Sequence, residues 1–439
     1  MIDKEVIVIG AGLAGSEAAY QLAKHGIKVK LYEMRPKVST EAHKSEKFAE
    51  LVCSNSLGGD HLGNASGLMK EELRRMGSLL IEVADQTKVP AGQALAVDRE
   101  GFSEIITEKL KAMENIEIIN EELKEIPKDK VVLVASGPLT SEALSKDIMK
   151  MLDQEYLYFY DAAAPIVTLE SIDQDKVYYQ SRYGKGDGEY INCPMNQEEY
   201  ETFYNALITG ERVPLKQFEE EKLFEACMPV ERIAQRGIKT LLFGPLKPKG
   251  LVNPKTEGDK WDHAVVQLRQ DDKDGKLYNL VGFQTNLKFG EQKRIFSMIP
   301  GLENAEFVRY GVMHRNTFID STKLLTPELN LKKNKDIYFA GQITGGEGYV
   351  CAMATGLVAA INIIRKFENK KPLILDDRSS IGAIIKYITE EKKNFQPMGP
   401  NFGVIKSLDE RIRDKKEKYN KISTIALEYL EEKLSEDMN

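Results

Sequence analysis

The first candidate site is a glycine-rich turn near the start of the chain. The sequence Gly10-Ala11-Gly12-Leu13-Ala14-Gly15 follows the apolar run 6–9 and precedes a segment with helical spacing. In that context the first glycine permits a tight turn, the second lets the backbone approach a pyrophosphate, and the third lets the helix pack on the strand. Glu33 ends the next apolar segment, about 20 residues after the first glycine, where a carboxylate accepts ribose hydroxyls. The pattern predicts a dinucleotide site.

A second glycine cluster lies near the C-terminus. The segment Gly341-Gln342-Ile343-Thr344-Gly345-Gly346-Glu347-Gly348-Tyr349 follows an apolar run and precedes an alanine-rich helical segment. Flavoproteins of the glutathione-reductase type have such a segment over the flavin, where a helix N-terminus stabilises negative charge on the ring. A plain NAD dehydrogenase does not need it. FAD is therefore the favoured cofactor, and the candidate residues of this segment are Gly341, Gln342, Gly345 and Gly346.

Four cysteines are the other chemically reactive residues. Cys53, Cys193, Cys227 and Cys351 form no C-x-x-C pair, and no histidine lies at metal-ligand spacing from them. The sequence therefore predicts neither a structural zinc site nor a disulfide framework. Most of the four are expected to be buried as small apolar side chains, and one or two to be chemical.

A βαβ unit is the predicted scaffold of the first glycine turn. Residues 6–9 and 29–32 are predicted strands, 16–25 a helix, and Gly26 its C-terminal stop. Residues 39–66 are polar, without clear periodicity, and predict an ordered functional loop. Helical spacing returns at 68–76.

The middle of the chain has a different texture. Short aromatic, strand-like stretches such as 177–180 alternate with charged helical segments at 197–207 and 217–226. Apolar strands typical of the first domain occur at 131–135 and again at 336–341, before a helix at 351–365. We therefore predict an α/β protein with a glutathione-reductase-like FAD-binding Rossmann domain and an inserted α+β domain. The expected boundaries are 1–160 for the first part of the FAD domain, 161–330 for the insertion, and 331–439 for the second part with C-terminal helices.

Longer motifs extend beyond the glycine clusters. They are 10–19, Glu33-Met34-Arg35-Pro36, Leu51-Val52-Cys53-Ser54-Asn55-Ser56-Leu57, Cys227-Met228-Pro229, 266–270, 281–288 and Met313-His314-Arg315-Asn316-Thr317-Phe318-Ile319. Together they resemble the folate- and FAD-dependent tRNA (uracil-5-)-methyltransferases over essentially the whole chain. The related wobble-uridine-modifying flavoproteins of the GidA group share the first glycine motif but are longer and lack the Cys-Ser-Asn-Ser segment.

The resemblance implies an enzyme that takes a one-carbon unit from 5,10-methylenetetrahydrofolate. Reduced FAD, recharged by NADPH or NADH, then serves to place a methyl group on C5 of uridine at tRNA position 54, in the T-loop. Uracil C5 is a poor nucleophile, so a thiolate that adds to C6 activates it. A general base then removes the C5 proton.

The same resemblance implies roles for individual residues. Cys227 is expected to be the C6 nucleophile and Cys53 the assistant beside the flavin, and the reversed assignment stays open. The two can meet only if the inserted domain folds back over the flavin. His314 and Arg315 are expected to contact folate or phosphate, or else to form a surface ion pair. Tyr349 is expected near the flavin, or else as a helix-cap aromatic. Further candidates for the FAD site are Met34, Arg35, Ser54 and Asn55.

The charge balance limits the kind of RNA binding. The chain has 61 Lys and Arg against 68 Asp and Glu, a net charge of −7. This argues against generic, charge-driven binding of nucleic acid but allows a local basic face. Basic residues cluster between 247 and 315, with Lys288 and Arg294 as candidate RNA contacts. A second basic group at 411–418 is mixed with acidic residues and indicates a solvated helix face.

Three other functions are alternatives to this one. A plain FAD oxidoreductase acting on a small molecule does not require the basic cluster. A non-catalytic RNA-binding flavoprotein does not require the paired cysteines. The same methylation of ribosomal RNA stays open.

The expected location is the cytoplasm. No run of about 18 apolar residues is present, so no membrane helix is expected. Residues 1–5 lead directly into the first strand and do not have the form of a signal peptide. Neither a metal nor a membrane partner is expected.

Overall fold

The apolar run at 6–9 forms the middle of a parallel sheet. The computed structural model describes residues 4–40, 42–153, 157–184, 188–213, 228–256, 262–311, 313–393 and 395–436, with the backbone alone at 157–162 and 313–315. The five parallel strands have the spatial order β16-β7-β1-β2-β6. They are β1 Glu5–Ile9, β2 Lys28–Tyr32, β6 Ile116–Ile119, β7 Val131–Val134 and β16 Ile337–Phe339.

Both faces of this sheet are covered, which explains why its strands are continuously apolar. Val6 and Val8 of β1 belong to one buried cluster, together with the helices Leu13–Lys24 and Tyr349–Phe367. Ile7 and Ile9 belong to a second cluster on the other face, together with the helix Glu142–Leu152. This doubly covered parallel sheet confirms the predicted FAD-binding Rossmann type of fold.

A six-stranded antiparallel sheet forms the second large unit. Its spatial order is β10-β11-β12-β13-β9-β14, and its buried face shares one core with the helices Gln197–Thr209, Val230–Gln235 and Phe289–Phe296. The strands are β9 Ile166–Thr168, β10 Tyr178–Tyr179, β11 Tyr190–Met195, β12 Ala264–Gln270, β13 Leu277–Leu280 and β14 Phe307–Arg309.

Two small antiparallel sheets complete the strands of the described residues. One pairs β8 Leu157–Ala162 with β15 Met313–Phe318. The segment that leads away from the parallel sheet therefore lies beside the segment that returns to it. The other has the order β3-β5-β4 and consists of β3 Ser56–Gly59, β4 Lys88–Val89 and β5 Ala94–Val97. Strand β3 lies within residues 39–66, which we predicted to be loop throughout, and that part of the prediction is wrong.

The helices are numbered in chain order. They are α1 Leu13–Lys24, α2 Ala65–Arg75, α3 Leu79–Gln86, α4 Arg99–Lys111, α5 Glu142–Leu152, α6 Gln197–Thr209, α7 Val230–Gln235, α8 Thr240–Phe243, α9 Phe289–Phe296, α10 Ser321–Leu324, α11 Tyr349–Phe367, α12 Ser380–Thr389 and α13 Lys415–Ser435. The helix predicted at 217–226 lies outside the described residues.

Helix α11 is the most apolar of the long helices. By length and composition it is the one helix of the described chain that meets the criteria for a membrane span, yet 83% of that stretch is buried in the fold. It packs directly against α1: a Cβ added at Gly356 would lie 2.3 Å from the carbonyl oxygen of Ala14. The close approach of the two helices therefore depends on a glycine.

Candidate functional site

A cavity of about 400 Å³ opens at the carboxyl end of the parallel strands. Open α/β sheets bind ligands at this edge. The lining residues come from the turn after β1, the end of β2, the loop before β3, the segment after β7 and the start of α11. Of the predicted site residues it is lined by Gly10, Gly12, Leu13, Ala14, Glu33, Met34, Arg35, Cys53, Gly341, Gln342 and Tyr349.

The first glycine turn has the geometry that its sequence predicts. Gly10 has φ +97°, and a Cβ there would lie 2.7 Å from the carbonyl oxygen of Ala135. A Cβ at Gly15 would lie 1.8 Å from the carbonyl oxygen of Gly10, so helix α1 can approach the turn only without a side chain. A Cβ at Gly12 would meet nothing within 4 Å. The space beside Gly12 is therefore free for a ligand.

Glu33 closes this side of the cavity as a buried carboxylate. One of its oxygens accepts a hydrogen bond from the Ala11 amide at 3.0 Å, and the other accepts from the amide and Nε of Arg35 at 3.1 and 2.9 Å. Burial alone would raise the pKa of Glu33, but these bonds and the Arg35 charge hold it below its ordinary value. Arg35 is itself buried and also pairs with Glu50. The carboxylate is therefore ionised and fixed at the end of β2.

The second glycine cluster forms the opposite wall. Gly341, Gly345 and Gly348 have φ of +84°, +81° and +93°, so the segment turns sharply before α11. Gln342 donates to Glu347 at 2.7 Å. Gly345 approaches the ring of Phe395, where a Cβ would lie 2.4 Å away. Gly345 and Gly346 therefore shape the turn and, like Ala11 and Gly15, are not among the described lining residues.

Helices α1 and α11 share an unusual N-terminus. Among the described helices of ten residues or more, only these two lack a side-chain cap, since their N-cap residues are Gly12 and Gly348. Both termini line the same cavity. Uncapped amides and the positive end of the helix dipole attract phosphate and other anionic groups. Two such termini at one cavity fit a ligand with negative charge at two separate places.

The loop that carries Cys53 is held by three arginines. Arg99 donates to the carbonyl oxygens of Leu51 and Val52 at 2.6 and 3.3 Å, and Arg309 donates to that of Val52 at 2.6 Å. Both guanidinium groups also interact electrostatically with the Cys53 thiol. Two guanidinium groups, of which that of Arg99 is paired with Asp271, thus lie near this half-buried cysteine at the cavity wall.

The third arginine, Arg269, acts on the two residues after Cys53. It reaches from β12 and donates to Ser54 Oγ at 2.7 Å and to Asn55 Oδ1 at 3.2 Å. The buried Asn55 amide donates in turn to the carbonyl oxygens of Val97 and Gln270, both at 3.0 Å. Ser54 and Asn55 thus join the loop to the antiparallel sheet and do not line the cavity among the described residues.

Tyr349 fixes the same loop from the cavity side. Its hydroxyl accepts the backbone amides of Cys53 at 2.7 Å and Ser54 at 3.1 Å. Burial, together with the neighbouring thiol, holds the pKa of Tyr349 well above its ordinary value, so the hydroxyl stays neutral. The first residue of α11 and the Cys53 loop are therefore linked directly.

The second predicted catalytic cysteine, Cys227, lies outside the described residues. The chain on either side of its segment is anchored to one short stretch. The Val213 amide donates to the Asn286 carbonyl oxygen at 2.9 Å, and the Val230 amide donates to that of Gln284 at 2.7 Å. The buried Glu231 carboxylate accepts the Asn286 amide at 2.7 Å. Residues 284–286 thus hold the chain on both sides of the Cys227 segment, residues 214–227.

The remaining predicted residues lie apart from the cavity or lack a described side chain. Lys288 pairs with Glu211 at 2.7 Å, and Arg294 pairs with Glu291 at 2.6 Å, both on the surface beside α9. His314 and Arg315 lie in the part of β15, residues 313–315, of which only the backbone is described. Arg309 of the predicted basic cluster is half-buried against the Cys53 loop and does not belong to an exposed basic face.

The two other described cysteines, Cys193 and Cys351, lie in the protein core. Cys193 and Cys351 are fully buried, and burial raises the pKa of both thiols far above the ordinary value. Within the described ranges no cluster of three or more His, Cys, Asp or Glu side chains is arranged to hold a metal ion.

Sequence reasoning missed several residues of the site. Arg99, Asp271 and Asn279 complete the network around the Cys53 loop, with Arg99 paired to Asp271 at 3.0 Å. Asn316 lines the cavity, and its buried Oδ1 has no hydrogen-bond partner in the described part of the chain. Asn316 stands in the motif at 313–319, so the motif was the available signal.

Comparisons with known proteins show the family of the chain. The family model described as glucose inhibited division protein A matches residues 5–371. A protein of Fusobacterium nucleatum subsp. nucleatum named methylenetetrahydrofolate--tRNA-(uracil-5-)-methyltransferase TrmFO is 72% identical over 429 residues, covering 98% of each chain. The protein of the same name from Enterococcus faecalis is 58% identical over 426 residues, covering 97% of each chain.

Among solved structures, GidA of Aquifex aeolicus in the form II crystal is similar, with a TM-score of 0.68 and 19% identity. The match covers 99% of this chain and 76% of GidA, and at this identity it bears on the fold alone. The family match over most of the chain and the high identity to the two relatives lead to one conclusion: the chain belongs to the glucose inhibited division protein A family and, within it, to the group of methylenetetrahydrofolate--tRNA-(uracil-5-)-methyltransferases named TrmFO.

Proposed function

We propose that this protein transfers a one-carbon unit from 5,10-methylenetetrahydrofolate to C5 of uridine 54 in the T-loop of tRNA, giving 5-methyluridine, with reduced FAD as the reductant. The observation that carries the proposal is a dinucleotide cavity bordered by a cysteine loop that three arginines hold, in a chain 72% identical to a protein named for this reaction. NADPH or NADH is the proposed source of the reducing equivalents.

The residues of the cavity fit FAD. Two uncapped helix N-termini suit a pyrophosphate and an anionic ring, and the Glu33 carboxylate suits ribose hydroxyls. The free space beside Gly12 and the unpartnered Asn316 Oδ1 provide room and an acceptor. Reduced FAD, when bound, supplies the hydride that turns a methylene group on C5 into a methyl group. The proposed FAD-binding residues are Gly10, Ala11, Gly12, Leu13, Ala14, Gly15, Glu33, Met34, Arg35, Ser54, Asn55, Gly341, Gln342, Gly345 and Gly346.

The two cysteines carry the proposed covalent step. The Cys227 thiolate adds to uracil C6, which forms an S–C6 bond and leaves C5 as an enolate-like nucleophile. After C5 has gained the carbon, a base removes the C5 proton and the bond from this carbon to its donor nitrogen breaks, which leaves an exocyclic methylene on C5. Once this methylene has received the hydride, the S–C6 bond breaks, which restores the C5–C6 double bond and frees the thiolate. Cys53 is the proposed proton-transfer group, because this residue lines the cavity on a loop that Arg99 and Arg309 hold in place. The exchanged assignment of the two cysteines is the alternative that the experiment below separates.

Three further assignments belong to the proposal. His314 and Arg315 contact the folate or an RNA phosphate, and Lys288 and Arg294 contact the RNA. The chain divides into FAD-binding parts at 1–160 and 331–439 and an inserted domain at 161–330. The protein works in the cytoplasm, where tRNA is modified.

One experiment tests the reaction. Purified protein with FAD is incubated with an unmodified tRNA transcript, methylenetetrahydrofolate and NADPH, and the RNA is mapped by nucleoside mass spectrometry. We expect 5-methyluridine at position 54 and none when folate is omitted. Product formed only in a ribosomal RNA transcript, or oxidation of NADPH without any RNA product, would contradict the proposal.

A second experiment assigns the cysteines. Fluorine does not leave C5 as a cation, so tRNA that contains 5-fluorouridine should trap the covalent enzyme–RNA adduct. We expect the adduct in wild type and in Cys53→Ala, and not in Cys227→Ala, while all three keep FAD and its reduction by NADPH. The opposite pattern would exchange the two roles.

A further inference from the structure

A column of three aromatic rings leads from the core of the antiparallel sheet to the surface. The rings of Phe307 and Tyr310 stack with centroids 5.5 Å apart and planes 12° apart, and those of Tyr310 and Phe289 with centroids 5.1 Å apart and planes 18° apart. At the inner end, Phe307 contacts the fully buried Phe296. At the outer end, Phe289 is 56% exposed. The column therefore ends in a ring that is open to solvent.

The elements that carry the column are fixed to each other. Gln292 of α9 is buried and donates to the carbonyl oxygens of Leu287 and Gly311 at 2.7 and 2.8 Å. Its Oε1 accepts the Gly311 amide at 2.8 Å. One side chain thus joins the start of α9 to the residue after Tyr310. Because the elements that carry the Phe289 ring are already fixed, ligand binding to this ring loses little conformational entropy of the protein.

The column is also joined to both cysteine segments. Arg309, directly before Tyr310, donates to the carbonyl oxygen of Val52, next to Cys53. Asn286, three residues before Phe289, pairs with Val213, where the Cys227 segment begins. A group that stacks on Phe289 therefore binds on elements that contact the Cys53 loop and Val213.

The surroundings of Phe289 fit a nucleotide better than a protein. Lys293 is exposed and stands one helical turn after Phe289, on the same face of α9. Aromatic rings interleaved with basic side chains bind single-stranded nucleic acid, because every base has a π-face and every phosphate a charge. Phe289 and Val308 are the exposed large apolar side chains of α9 and β14, far less than a stable protein interface buries.

We propose that Phe289 is a stacking platform for an unstacked nucleobase of the bound RNA and that Lys293 contacts a neighbouring phosphate. The proposal rests on the proposed function, which supplies the RNA and requires a base to leave its stack. It adds a recognition surface outside the FAD cavity.

Binding of an unmodified tRNA transcript to the FAD-loaded protein tests the platform. Phe289→Ala should weaken binding by about five- to a hundredfold, the usual effect of losing one base–aromatic stack. Phe289→Trp should restore binding, and its indole fluorescence should be quenched by the RNA. The matched control is Phe243→Ala, because Phe243 is 82% exposed and on a different helix, α8. Equal losses for Phe289→Ala and Phe243→Ala, or no loss for either, would overturn the proposal.

Salt dependence separates stacking from charge. Phe289→Ala should leave the slope of log affinity against log salt unchanged, whereas Lys293→Ala should reduce it by about 0.7. A hairpin RNA with single abasic residues in its loop completes the test. At one loop position, the loss of binding free energy caused by the missing base and the loss caused by Phe289→Ala should not add. Full additivity at every position would refute stacking.

The two levels of proposal fail differently. Wild-type protein that neither binds tRNA nor forms 5-methyluridine would overturn the proposed function. Wild type that does both, with Phe289→Ala unaffected in binding, would overturn only the platform. Phe289→Leu guards against a folding artefact, since it keeps apolar bulk without a π-face and should bind as weakly as Phe289→Ala.

Discussion

Replacing Tyr349 by Phe removes one oxygen atom that holds the Cys53 loop. That oxygen accepts the amides of Cys53 and Ser54 at 2.7 and 3.1 Å, and its loss leaves both donors unpaired in a partly buried loop. An unsatisfied buried donor costs about 1–3 kcal/mol. Because water can partly replace the acceptor here, we take the lower end for each and expect about 2 kcal/mol in total.

The assay has two readouts on the apoprotein. The free energy of unfolding in urea should fall by about 2 kcal/mol. If the same energy is lost from local opening of the loop, alkylation of Cys53 by iodoacetamide should become about thirtyfold faster, since 1.4 kcal/mol corresponds to a factor of ten. Peptide mass spectrometry identifies the alkylated cysteine.

Tyr20→Phe is the control for this change. It removes the same atom from a ring that packs on the same core, and the Tyr20 hydroxyl has no hydrogen bond among the described residues. It should leave both readouts unchanged. Equal Cys53 alkylation rates in Tyr349→Phe and wild type would refute the reasoning, because the hydroxyl would then not hold the loop.

Five further substitutions at four positions test other parts of the structure. Gly12→Val should fold normally by circular dichroism but lack FAD, because the added side chain would fill space that is free for the ligand. Gly15→Ala should destabilise even the apoprotein, because its Cβ would collide with the turn. Full FAD occupancy in Gly12→Val would contradict the site. Arg269→Gln should raise Cys53-loop alkylation by losing the bond to Ser54, and Arg269→Lys should restore part of the protection. Burial raises the pKa of Glu72 to about 8. The folded state therefore holds a proton that the unfolded state releases near pH 4.5. The free energy of unfolding should consequently fall as the pH rises from about 5 to 8. Glu72→Gln should flatten that slope in urea titrations, and an unchanged slope would exclude this carboxyl as its cause.

Local pattern was enough to predict the first βαβ unit. The apolar runs at 6–9 and 29–32 became β1 and β2, and the glycines fell where a Cβ would collide or where a cavity needs space. These features depend on a few neighbouring residues, so sequence spacing specifies them. The helix bounds shifted by a few residues: α11 begins at Tyr349 rather than 351, since Gly348 ends the preceding turn.

The positions of the arginines around Cys53 could not be read in the same way. Arg269 reaches Ser54 across 215 residues of sequence, and Arg99 reaches Asp271 across 172. Arg269 stands in the motif at 266–270, but nothing local marks its partner or that of Arg99, because these contacts exist only when the two sheets come together. For the same reason Arg309 was grouped with the basic surface, although packing turns it towards the Cys53 loop.

The glycine at position 356 has a consequence for how the cavity can change. It lies outside the lining, yet a methyl group there would lie 2.3 Å from the Ala14 carbonyl oxygen and push α11 away from α1. Since the N-termini of both helices border the cavity, their separation sets the distance between its two anion-attracting ends. Redesign of ligand preference can therefore exchange wall residues one at a time, whereas any change at this helix crossing alters the span of the whole site at once.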